Sequence, residues 1–156
     1  TVVAWGSCIF DLTLIPDGLA NVRAISAGAC HCLALQENGT IQAWGGYDEG
    51  QTALSRGLVD AIAISAGDDH SLALTQNDQV FAWGDGEDDE LEVPEGLDNV
   101  IMVAAGGFHS LALKSDRTVE AWGNNRFGQT SVPSGLGQIK AIAAGYYHSL
   151  ALAEEG

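Results

Sequence analysis

Polar and apolar side chains alternate in "TIQAWG", "QVFAWG" and "TVEAWG" until each segment ends at a tryptophan, the pattern of a half-buried β-strand. "HSLALK" reads as a second such strand. "VRAISAG" and "IKAIAAG" read as a third, built from small and β-branched residues that allow close packing. Between the second strand and the tryptophan strand stand polar quartets, "QENG", "TQND" and "SDRT", which predict tight hairpin turns. A loop such as "NNRFGQ" follows each Ala-Trp-Gly, then an extended stretch and a turn like "VPSGL". Pro16, Pro94 and Pro133 fall at that edge, where a missing N–H does least harm.

These elements recur with a fixed period. Trp5, Trp44, Trp83 and Trp122 are each 39 residues apart, and so are His31, His70, His109 and His148. Gly28, Gly67, Gly106 and Gly145 form a third column; Gly18, Gly57, Gly96 and Gly135, each followed by Leu, form a fourth. No insertion or deletion interrupts the four units, so residues 1–156 read as one domain made entirely of repeat. Four short strands per unit predict an all-β fold, a β-propeller of four-stranded blades. The tail "AEEG" aligns with "QENG", and Thr1 aligns with Thr40. The last half-repeat therefore supplies the early strands of a blade and the first half-repeat the strands after them, which removes an open edge.

Composition narrows the function. The chain carries 21 acidic against 6 basic residues, a formal charge of −15, which opposes phosphate backbones and anionic membranes and suits a basic partner. No apolar run is long enough to span a bilayer as a helix. The chain opens at Thr1 without an initiator Met or a signal-like segment, as a processed or trimmed product would. The cysteines, Cys8, Cys30 and Cys32, are odd in number and give no disulfide framework. "CHC" around His31 has no second pair of ligands with which to build a zinc site. Nucleophile-elbow, Walker and dinucleotide-binding motifs are all missing, so no enzyme and no cofactor is expected. "GDGEDDE" has clustered carboxylates for a weak calcium site but lacks EF-hand geometry, and reads as a solvated acidic loop.

The motif "AxAAGxxHSLALxxDxTVxAWGxNxxGQ" resembles the repeat of the RCC1 superfamily of β-propellers along all 156 residues. The short unit, the "VP" turn and the phase of the ends most resemble the bacterial short-blade members of the β-lactamase inhibitor protein II type. Localisation stays open, with bacterial secretion implied by that resemblance alone. WD40 repeats need Trp-Asp, and none of the four tryptophans is followed by Asp. RCC1-type rings usually have seven blades, so four units are too few. Neighbouring blades turn by roughly 90° in a ring of four, about 51° in seven and about 45° in eight; a blade suited to seven therefore fits eight better than four. Two chains would make eight, each completing the other's terminal blades, and this predicts a homodimer.

A catalytic histidine is normally unique, and four in register mark a structural unit. The resemblance implies the same for His31, His70, His109 and His148. A metal shared among them fails because equivalent points on different blades lie too far apart. Trp5, Trp44, Trp83 and Trp122 are read likewise as wedges between sheets. Function is then expected where the units differ. Two sets of positions vary: the pair before each histidine and the loop after each Ala-Trp-Gly. By resemblance both lie on one face of the ring. They hold the expected partner-binding residues Phe10, Tyr47, Asp48, Asp69, Phe108, Arg126, Phe127, Tyr146 and Tyr147. Tyr and Arg dominate binding hot spots, and an aromatic in a loop otherwise serves to pack that loop down.

The leading expectation is a non-enzymatic protein-binding scaffold. Nucleotide exchange on a small GTPase, the activity of RCC1 itself, depends on a wedge that uniform units leave no room for. Light sensing, as in the plant ultraviolet receptor of the superfamily, uses tryptophans in the column held here by Cys30, Asp69, Phe108 and Tyr147. Two alternatives remain: an engineered or excised fragment with no selected function, or a β-lactamase-inhibitor-like protein.

Overall fold

Three hairpin-linked strands recur three times along the chain, and a pair of strands follows. In the computed structural model, which describes residues 1–6, 12–46, 50–54 and 58–154, the first sheet holds β1 (Val22–Ala27), β2 (His31–Gln36) and β3 (Ile41–Gly45). The second holds β4 (Ala61–Ala66), β5 (His70–Thr75) and β6 (Val80–Gly84), and the third β7 (Val100–Ala105), β8 (His109–Lys114) and β9 (Val119–Gly123). β10 (Ile139–Ala144) and β11 (Ser149–Ala153) form a two-stranded fourth sheet. Every pairing is antiparallel between consecutive strands, and the described residues contain no helix.

Local chemistry accounts for the repeated shape. The hairpin turns place Gly39, Asp78 and Arg117 at positive φ (81°, 60° and 71°), and each N–H closes the turn on the carbonyl three residues back. Asn21, Asp60 and Asn99 are also left-handed, and a bulge follows each of them at the start of β1, β4 and β7. The first three sheets have three strands each among the described residues and the fourth has two, against the four expected. The segments around Pro94 and Pro133 join no ladder, in keeping with the donor that proline lacks.

No sheet buries its own faces; its neighbours do. Leu33, Leu35 and Ile41 of the first sheet pack with Ala61 and Trp83 of the second. Leu72 and Leu74 pack with Val100, Val103 and Trp122 of the third, and Leu111 and Leu113 with Ile139 and Ile142 of the fourth. The central strand is therefore covered on both sides. β5 is buried at all six residues, where the alternating sequence predicted a half-buried strand: Leu72 and Leu74 face one neighbour while Ala73 packs with the Leu33 cluster on the other.

At the inner edge the sheets approach closely. The N–H of Ala29 donates to the Gly67 carbonyl, that of Asp68 to Gly106 and that of Gly107 to Gly145. A Cβ at Gly67 would collide with the Gly106 carbonyl and stand 2.7 Å from Cε1 of His70. Gly67→Ala is expected to cost about 1–3 kcal/mol in chemical denaturation, the range for overpacking a well-filled core. A neutral substitution would contradict this account of the close approach.

Candidate partner-binding face

Register puts both variable loop sets at one end of the sheets. His31 pairs with Gly45, His70 with Gly84 and His109 with Gly123. The residues entering β2, β5 and β8 thus lie beside those leaving β3, β6 and β9. Phe10, Tyr47, Asp48, Glu49, Cys8 and Gly57 lie outside the described residues; the other expected contact residues are placed.

Four of them form one cluster. Ring centroids of Phe108 and Tyr146 are 5.2 Å apart and edge-on, those of Tyr146 and Tyr147 4.4 Å and edge-on, and those of Phe127 and Tyr147 4.8 Å and tilted. Phe108 and Tyr147 stack at 6.1 Å. Phe108 is half-buried, whereas Phe127, Tyr146 and Tyr147 are exposed by 69%, 48% and 45%. Packing one another down therefore accounts for only part of the cluster. Arg126 is exposed beside Phe127, and its N–H is fixed by Asn124 Oδ1 at 2.9 Å. Asp69 is half-buried and accepts a long 3.4 Å bond from Gln51.

Asp68 enters the cluster through a contact that spacing did not reveal. Tyr146 lies against Gly107, where a Cβ would stand 3.1 Å from its Cγ, and its hydroxyl reaches Asp68 two units away. Desolvation, followed by the hydrogen bond with Tyr147 and the Asp68 charge, pushes the Tyr146 hydroxyl up to about 12, so it stays protonated. Burial and the neighbouring Asp69 raise Asp68 above the usual carboxylate range, while the Tyr146 bond works the other way. The arrangement is an apolar surface with a carboxylate edge. Among the described residues no group of three His, Cys, Asp or Glu is placed to hold a metal. The acidic loop closes on itself: Glu90 is buried, accepts the Asp88 N–H at 2.9 Å, and is raised by that burial.

The histidines connect units. Nε2 of His31, His70 and His109 lies 2.7, 3.0 and 2.9 Å from Oγ of Ser71, Ser110 and Ser149 in the following sheet. Ser110 and Ser149 donate their hydroxyl protons to the Glu90 and Gln129 carbonyls, so His70 and His109 must donate through Nε2–H. Their Nδ1 atoms are buried with no hydrogen-bond partner. Trp44, Trp83 and Trp122 donate to the carbonyls of Leu12, Gln51 and Glu90, a column whose backbone role leaves no trace in side-chain identity. Trp5 and His148 differ from their column mates: Trp5 is 86% exposed and His148 is exposed, because in each case the neighbouring sheet is not there.

The model of the Regulator of chromosome condensation (RCC1) repeat matches residues 22–51, 61–89 and 100–129. Prp20p from Saccharomyces cerevisiae, described with its binding properties to Gsp1p and histones, is similar in structure at 22% identity and a TM-score of 0.76, over 88% of this chain and 45% of that one. Yeast RCC1 (Prp20) bound to Kap60 is similar at 22% identity and a TM-score of 0.71, over 97% and 43%. The ectodomain of the Physcomitrella patens receptor kinase CR4 is similar at 24% and 0.81, over 97% and 43%. The chain thus spans less than half the length of each. These likenesses establish the propeller fold. No curated protein sequence matches.

The buried histidines set a pH dependence. Burial, reinforced by the neighbouring His109 and His31, lowers His70 from 6.5 to about 4; burial also lowers His31 and His109. Below about pH 6.5 the unfolded chain binds protons that the folded chain refuses, so stability is full above that pH and falls as pH drops toward 4. Asp68 and Glu90, raised on folding, act in the opposite sense. The denaturation midpoint should fall on acidification through this window. His109→Ala should cost about 1–3 kcal/mol at neutral pH and flatten the dependence. A midpoint constant across the window would contradict it.

Proposed function

The chain belongs to the RCC1-repeat family, and from that premise we propose that it is a non-enzymatic binding module that holds a protein partner on the face carrying the pre-histidine pairs and the post-Ala-Trp-Gly loops. The observation that carries the reading is the cluster of Phe108, Phe127, Tyr146 and Tyr147, the last three of them exposed where a soluble loop would be polar. An exposed apolar patch of this kind marks an interaction site. The structurally similar yeast Prp20 binds protein partners: Gsp1p and histones, and in a second structure Kap60. Phe10, Tyr47 and Asp48 belong to the same proposed face through their places in the repeat, and Asp69 and Arg126 through their positions beside the cluster.

The partner is basic. Asp68 meets Tyr146 at the edge of the aromatics, Asp69 follows it in the chain, and the net charge of −15 opposes nucleic acid and anionic membranes. Association should quicken at low salt for the same reason. The histidine and tryptophan columns hold the scaffold, and the ring of blades is completed to eight by a second copy of the chain. The short-blade bacterial type remains the nearest subtype on this reading.

Selection from a displayed random-peptide library on the immobilised protein tests the face. Enriched peptides should be basic, and Phe108→Ala and Tyr147→Ala should each weaken them by about 1 kcal/mol or more, as hot-spot truncations do. Both variants should keep the wild-type circular dichroism, since neither residue belongs to a shared column. Affinity unchanged in both folded variants would refute the site.

A further inference from the structure

The inner edge, where the glycine column brings the sheets together, encloses a recess of about 200 Å³. Alanines and glycines of all four units line it, and Asp68 and Tyr146 supply its longer side chains. Asp68 stands in the second unit with a three-stranded sheet on either side, and its column neighbours Ala29 and Gly107 are small. The recess offers acceptors. The N–H groups of Gly28, Gly67 and Gly106 bond the carbonyls of His31, His70 and His109. Those of Ala29, Asp68 and Gly107 bond the carbonyls of Gly67, Gly106 and Gly145 at 3.3, 3.2 and 3.3 Å. Each of these last three carbonyls keeps a second lone pair, and the Asp68 carboxylate keeps acceptor sites beyond the one that the Tyr146 hydroxyl engages. An anion would find no free donor among these groups, whereas a cationic N–H donor would find several acceptors.

No cation among the described residues answers Asp68. The one ion pair among them joins Lys114 to Asp98 at 2.9 Å. Lys114 ends β8 and Asp98 precedes β7, so that pair lies at the end of the third sheet remote from the face. Arg23, Arg117 and Lys140 lie at the same remote end of their sheets. Arg126 is on the face but makes no ion pair among the described residues. Asp68 is therefore a half-buried carboxylate beside the like charge of Asp69, without a counter-charge, an arrangement that a bound cation relieves.

We propose that this recess seats one cationic side-chain end of the partner, an ammonium or a guanidinium, on the Asp68 carboxylate and the Gly67 and Gly106 carbonyls. The apolar stem of that side chain lies along the aromatic cluster, since Tyr146 belongs to both recess and cluster. The inference rests on the partner-binding face above and names the group which that face recognises.

Small cations test the seat without a partner. n-Butylammonium or methylguanidinium, added to the full chain at constant ionic strength, should shift the Asp68 carboxyl carbon resonance saturably at millimolar concentration. The stronger of the two identifies the head group. Sodium should give no such shift, and Asp116, exposed in a hairpin turn, should stay unmoved. Asp68→Asn keeps the shape and an acceptor for Tyr146, and it should abolish the accompanying amide shifts at Gly106 and Gly107. The same variant should weaken peptides enriched on the immobilised protein by about tenfold or more. Replacing their lysines by norleucine or their arginines by citrulline should then have no further effect. No saturable shift with either cation, or an equal one with sodium, would overturn the seat. Peptides weakened by Phe108→Ala but indifferent to Asp68→Asn would overturn it while leaving the face standing. Peptides indifferent to the aromatic substitutions would overturn the face, and the cation titration then decides the recess alone.

Discussion

The structure depends on burial between units. A three-stranded sheet of 39-residue spacing has two apolar faces and no layer of its own to cover them, so each sheet is a core only while its neighbours are in place. The leucines of one central strand, the first strand of the next sheet and that sheet's tryptophan make the contact in each of the two junctions between complete sheets. Polar ties follow from the same approach. Buried histidines find serine hydroxyls in the next sheet, and the glycine column lets backbone meet backbone. A glycine, a histidine and a tryptophan therefore recur in every unit for one reason, and substitution at any of them that lies between two sheets strains both.

Such a scaffold frees the loop end of each unit to vary. One loop set bears Ala29-Cys30, Asp68-Asp69, Gly107-Phe108 and Tyr146-Tyr147 on near-identical strands. Small, acidic and aromatic pairs thus meet on one surface without disturbing the ladders below. Gly107 illustrates the interplay, since its lack of a side chain lets Tyr146 pass over it toward Asp68. The cluster draws its geometry from three successive units, which is why it is a property of the assembled arc and of no single repeat.

Much of this was legible from the residues. Alternation and turn chemistry located the strands, and the recurring Trp, His and Gly columns marked the repeating unit, the tryptophans as wedges between sheets. What escaped the reading has physical causes. Leu-Ala-Leu in β5 looks half-buried because alanine is small, but a neighbouring sheet covers that side too. The acceptors of the tryptophan indoles are backbone carbonyls of Gln51 and Glu90, and a carbonyl has no residue code. Tyr146 reaching Asp68 joins residues 78 positions apart through a turn whose path only the fold determines. The sequence also treats all four units as equal, whereas Trp5 and His148 stand exposed because burial at each position requires an adjacent sheet.

Native-state hydrogen exchange of Trp83→Ala tests the central claim, that the units are held by one another. Trp83 belongs to the second sheet but packs on Leu33 and Leu35 of the first. The account predicts that amides of β2 lose protection together with those of β6, by an amount in keeping with the roughly 3–5 kcal/mol cost of removing a buried tryptophan. Loosening confined to β4, β5 and β6, with β2 as protected as in the wild type, would contradict it.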